Sequence, residues 1–155
     1  MPKQITKIKM KDGNIEVRYL EVEGKVEKEV IFKCKEAARP EFDSAMSALV
    51  RDVYKILELP VDWFPQRMKI TGVSFSHSEG TNVEGAVITG QVELTTSVSP
   101  FCFNTPHLPF EQYSETGNSP TMPEAAQKNL GDLKTEAMLY VEGSRAQLDL
   151  LHDES

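Results

Sequence analysis

Several groups of residues in this 155-residue chain have side chains and spacing that could do chemistry. The run Gln147-Leu148-Asp149-Leu150-Leu151 joins a primary amide, which can fix orientation by hydrogen bonding, to apolar side chains that can fill a preformed pocket. That is docking chemistry rather than catalysis. Asn104, Thr105 and His107 cluster in a stretch, residues 95–110, that holds no Asp, Glu, Lys or Arg. They could line a pocket, although Pro106 and Pro109 more simply stiffen the segment. Phe101, Phe103, Leu108 and Phe110 make the stretch too apolar for a solvated linker, so with Asn104 and His107 they form a candidate binding loop, or else an ordered loop covering an open side of a sheet. His77, in phase with Phe75, could serve as a ligand or base, yet no acid or nucleophile stands at a recognisable spacing from it. Lys7, Lys9 and Lys11 could meet phosphates, with Tyr19 or Phe32 stacking on bases.

Other chemistries are disfavoured. The chain has no glycine-rich phosphate loop, nucleophile elbow, HExxH or paired-carboxylate motif, so the expectation is a protein that is not an enzyme. Cys34 and Cys102 lack CxxC spacing and the three histidines, His77, His107 and His152, are scattered, so no metal site and no cofactor are expected. The net charge of −7 opposes direct nucleic-acid binding. Residues 1–35 hold 9 of the 17 basic and 6 of the 24 acidic residues, and no Lys or Arg occurs from Ile70 to Gln127. Alternating runs such as Glu27-Lys28-Glu29 read as the wet face of a strand. No apolar run is long enough to span a bilayer and no signal-like segment opens the chain, which suggests a cytoplasmic protein with reduced thiols.

The elements that must carry these residues follow from periodicity. Thr6, Ile8 and Met10 alternate with Lys7, Lys9 and Lys11; Asp12-Gly13 supplies a turn; Ile15, Val17 and Tyr19 continue the pattern. After Glu23-Gly24-Lys25 come Val30, Phe32 and Cys34, which completes an antiparallel meander. From Pro40 the period changes, and Phe42, Met46, Leu49, Val50, Val53, Ile56 and Leu57 mark an amphipathic helix ending before Pro60. Met68 and Ile70, then Val73, Phe75 and His77, predict a strand with a bulge at Thr71-Gly72, and Ile88, Gly90, Val92 and Leu94 a further strand. Residues 111–120 read as an exposed connection. Thr121-Met122-Pro123-Glu124 has the form of a capping box, opening a helix with Ala126, Leu130, Leu133, Ala137 and Tyr140/Val141 on its apolar stripe and a stop at Glu142-Gly143. The expected architecture is α+β, an antiparallel sheet of about five strands with two amphipathic helices, as a single domain over 1–143 followed by a C-terminal tail, 144–155. The alternative for the tail is that residues 144–151 continue the helix, with Leu148 and Leu151 packing one turn apart.

The tail's residue order is more specific than its hydrophobicity. Gln147-Leu148-Asp149-Leu150-Leu151 resembles the peptides by which proteins bind the bacterial DNA polymerase sliding clamp, of the form Gln-Leu-Ser/Asp-Leu-Phe or -Leu, with Leu151 where Phe is commoner. The resemblance implies that Gln147 hydrogen-bonds at the mouth of a cleft, that Leu150 and Leu151 enter a hydrophobic pocket, and that Leu148 adds a contact. Lys69-Ile-Thr-Gly-Val-Ser-Phe-Ser76 and Asn104-Thr-Pro-His-Leu-Pro109, with the late helix and tail, are similar to a family of small uncharacterised proteins encoded by bacteriophages and prophages. That likeness implies a phage setting in the host bacterial cytoplasm and no particular activity. Together they point to a clamp-docking protein of replication, recombination or replisome take-over. Two other readings stay open: an acidic anti-defence or decoy protein that binds a host factor, and a single-stranded DNA-binding accessory.

Overall fold

The computed structural model describes residues 3–11, 13–60, 62, 67–77, 83–112 and 120–143. Its elements are β1 (Lys3–Lys11), β2 (Asn14–Glu23), β3 (Val26–Cys34), α1 (Pro40–Ile56), β4 (Met68–His77), β5 (Glu84–Val92), β6 (Phe101–Asn104), β7 (Leu108–Pro109) and α2 (Glu124–Val141). The α+β class and the two helices follow the sequence pattern, but the sheet has seven strands rather than about five. The additional strands, β6 and β7, come from the uncharged stretch. At four and two residues they are too short to show an alternating pattern, and pairing to β5 organises them.

All pairings are antiparallel, in the order β3-β2-β1-β4-β5-β6, with β7 also on β5. Gly13 and Gly24 turn the first two hairpins at φ of 81° and 62°, angles that cost a residue with a Cβ. Strand β4 shifts register against β5 between Ile70 and Gly72, which is the expected bulge. A second shift lies in β1 between Ile5 and Lys7 and was not anticipated. It corrects the placing of Thr6 beside Ile8 and Met10: Thr6 is the extra residue, and Ile5, 5% exposed, joins the core instead.

Successive cross-strand partners Phe32, Val17, Ile8, Val73 and Ile88 form an apolar row across five strands. Both helices contribute to the core on this face. Helix α1 buries Phe42, Met46, Leu49 and Val53, and α2 buries Ala126, Leu130, Leu133, Ala137 and Tyr140. Each large apolar side chain so enclosed contributes about 1.5–3 kcal/mol. The Tyr140 ring meets Phe32 and Phe42 edge-on, with centroids 6.0 and 5.9 Å away. Arg39, just before α1, donates two hydrogen bonds to the Glu136 carboxylate at 3.2 and 2.9 Å and ties the helices together. The opposite face of the sheet carries Lys7, Lys9, Glu16, Arg18, Ile31 and Lys33, all partly or fully exposed.

The start of α2 departs from the expected capping box. Its N-cap is Pro123, and no side chain caps it. Met122, 1% exposed, is instead drawn into the core, where its N–H donates to Pro109 O at 2.8 Å. The Gln127 side-chain amide secures this lead-in by donating to Met122 O and Phe110 O at 2.8 and 2.9 Å. Burial of Met122 thus overrides a local cap that would have faced water. The helix stop is as expected: Glu142 is the C-cap and Gly143 has φ 113°. No helix among the described residues is long and apolar enough to cross a membrane.

Candidate functional site

The sequence-expected residues are dispersed. Gln147, Leu148, Asp149, Leu150 and Leu151 lie outside the described residues, as does most of the 111–120 connection. Within the uncharged stretch, Asn104, Thr105 and His107 each have a separate sheet partner. Thr105, 4% exposed, accepts from Ile88 N–H at 2.9 Å through its hydroxyl while its own N–H donates to Ile88 O at 2.9 Å. Asn104 Oδ1 accepts from the Thr89 hydroxyl at 2.6 Å. His107 crosses Gly85, where a Cβ would come within 2.4 Å of its Nε2, and lies 2.8 Å from Ser76 Oγ. Thr105 is therefore a staple between segments, and the three residues do not converge on a shared pocket. Phe103 packs over Gly90, Leu108 and Phe110 lean on the core, and Phe101 is left 54% exposed.

A polar constellation forms instead around His77. It pairs across the sheet with Glu84, and α2 brings Lys134 into hydrogen-bonding contact with the Glu84 carboxylate. Gln4 of β1 completes the set, its amide nitrogen 2.6 Å from His77 Nδ1. An amide nitrogen can only donate, so Nδ1 accepts and the neutral ring carries its proton on Nε2, which faces Glu84 at 3.9 Å. Burial, and then the Lys134 charge, hold His77 below the ordinary histidine value. Burial likewise draws Lys134 below the ordinary lysine range despite the carboxylate it touches. These residues edge a cavity of about 570 Å³. They supply an acid–base pair and a cation. No residue spacing announced this site: Lys134 and Glu84 are 50 positions apart, and only the β4–β5 register brings Glu84 opposite His77.

A second cavity, of about 450 Å³, lies where β1 and β3 end and β2 begins, and is edged by Lys9, Lys11, Asn14, Glu16, Lys33 and Lys35. Arg18 donates to Glu16 at 2.6 Å, and that hydrogen bond is the main cause of the lowered Glu16 pKa, so the carboxylate is offset and the surrounding lysines can attract an anion. The stacking role considered for Tyr19 and Phe32 is not available. Tyr19 is 7% exposed on the core face and Phe32 packs against Tyr140. Among the described residues, no three His, Cys, Asp or Glu side chains converge as a metal site. No family model, curated protein or solved structure matches the chain.

Proposed function

We propose that this is a phage-encoded, non-enzymatic binding protein that docks on the host bacterial sliding clamp through Gln147, Leu148, Asp149, Leu150 and Leu151, and acts in DNA replication, recombination or replisome take-over. The observation that supports it is how α2 ends. Glu142 N–H returns to Met138 O at 3.0 Å, Gly143 N–H to Tyr140 O at 3.2 Å, and Gly143 turns left-handed at φ 113°. A left-handed residue breaks α-helical phase, so the apolar stripe of α2 closes at Tyr140 and Val141, ahead of the motif. The core-facing stripe of α2 is thus complete without any contribution from Leu148, Leu150 or Leu151.

The test is capture of the full chain by purified host clamp. Wild type is retained, and Gln147→Ala with Leu150→Ala abolishes retention. Capture that survives the double substitution, or that never occurs, overturns the proposal.

The lysine-edged cavity supports a second reading, a single-stranded DNA-binding accessory that engages phosphates without aromatic stacking. It requires a gel shift at low salt that disappears when Lys7, Lys9 and Lys11 are neutralised.

A further inference from the structure

The two edges of the sheet are built differently. One ends in β6 and β7, of four and two residues. The other is β3, nine residues long, paired to β2 from Ile15↔Cys34 to Glu23↔Val26 without a register shift, and free of proline. Among the described residues no strand pairs with the outer side of β3. Long edges are usually blunted by bulges, prolines or brevity, because their unpaired N–H and C=O groups template another strand. This edge also exposes apolar side chains, Val26 at 64% and Ile31 at 47%.

We propose that β3 pairs antiparallel with β3 of a second copy of this chain, about a twofold axis at Ile31, to make one continuous sheet. The occupant follows from the edge's own charges. On the face opposite the helices, β3 presents Glu27, Glu29, Ile31 and Lys33, with Lys35 one residue beyond the strand. Antiparallel pairing centred on Ile31 sets Glu29 against Lys33 of the other copy and Glu27 against its Lys35, each twice by symmetry, with Ile31 against itself. On the helix face the same register opposes Val30 and Phe32. Moving the axis to Val30 places Ile31 opposite Glu29, and moving it to Phe32 places Ile31 opposite Lys33. The edge is therefore self-complementary in one register, which an edge built for a different partner has no reason to be. Lys28 and Cys34 oppose each other without conflict.

Sedimentation of the full chain tests this. Wild type sediments as a dimer whose dissociation constant weakens with added salt. Glu29→Lys or Lys33→Glu alone sets like charges opposite twice, and each weakens the dimer by about tenfold or more. Mixing the two single variants restores a heterodimer, since every facing pair is again of opposite sign. Circular dichroism of each variant verifies folding, and Glu27→Lys with Lys35→Glu repeats the exchange away from Glu16, which lies 3.9 Å from Lys33. A wild type that stays monomeric at its highest attainable concentration, or a dimer indifferent to both exchanges, overturns the proposal.

Discussion

The Lys134 ammonium lies 4.5 Å from the centroid of the Phe75 ring while it is hydrogen-bonded to the Glu84 carboxylate. A cation from α2, an anion from β5 and an aromatic face from β4 thus share one half-buried position. Lys134→Met keeps the stem packed on Phe75 but leaves the Glu84 carboxylate, its side chain 21% exposed, without this cation. The expected loss is about 1–2 kcal/mol, between the values for exposed and fully buried pairs. Adding Glu84→Gln should recover part of it. Urea unfolding of the wild type, both single variants and the double variant measures the coupling, and strictly additive losses would show there is none.

His77 should make stability depend on pH. Its folded pKa is lowered from 6.5 by burial and by Lys134, so around 6.5 the unfolded chain binds more protons than the folded one. Stability is therefore full above 6.5 and declines as the pH falls through 6.5 toward the lower folded value. Glu16 adds a loss at more acid pH, since its carboxyl is held below 4.5 chiefly by the hydrogen bond from Arg18. Lys134, lowered from 10.5 by burial, adds stability as the pH rises toward 10.5. Urea midpoints measured on either side of 6.5 should fall with acidification in wild type, and His77→Gln should flatten that part of the profile while leaving the acid limb.

Gly90 is a packing requirement. A Cβ there would sit 2.6 Å from Phe103 Cζ and 2.8 Å from Lys69 O. The ring can swing away, but the carbonyl belongs to the β4 backbone, so Gly90→Ala must push β4 and β5 apart even if Phe103 moves aside. Overpacking of this kind costs about 1–3 kcal/mol. Thermal unfolding checks it. Adding Phe103→Ala to Gly90→Ala removes only the ring contact, so the double variant should remain less stable than Phe103→Ala alone.

What could be read from the residues depended on whether a signal was local. Leu130, Leu133 and Ala137 recur at helical spacing over eighteen residues of α2, and the change of phase between Ile70 and Val73 marks the β4 bulge without reference to a partner. Thr6 carried no such mark. Thr6, Ile8 and Met10 alternate as acceptably as Ile5, Ile8 and Met10 with a bulge, and only pairing with β2 decides between them. The His77 cluster was invisible for the same reason, because Glu84 and Lys134 each look like solvated charges until the hairpin register and the helix docking bring them together. The meeting of Thr105 with Ile88 is likewise a product of β6 folding back on β5, which no residue pattern in the uncharged stretch encodes.

Asp52 supplies the last prediction. It falls on the apolar side of α1, 3% exposed, and accepts a hydrogen bond from the Asn129 amide of α2 at 2.8 Å. A buried carboxylate is tolerated only while its acceptors are met, so Asn129→Ala should cost about 1–3 kcal/mol although Asn129 itself is only half-buried. Replacing both partners removes the stranded group along with its donor. Asp52→Leu with Asn129→Leu should therefore cost less than the two single losses combined. Urea midpoints of Asn129→Ala, the two single leucine variants and the double variant decide the matter, and an Asn129→Ala protein as stable as wild type would show that the helix–helix contact does not depend on this bond.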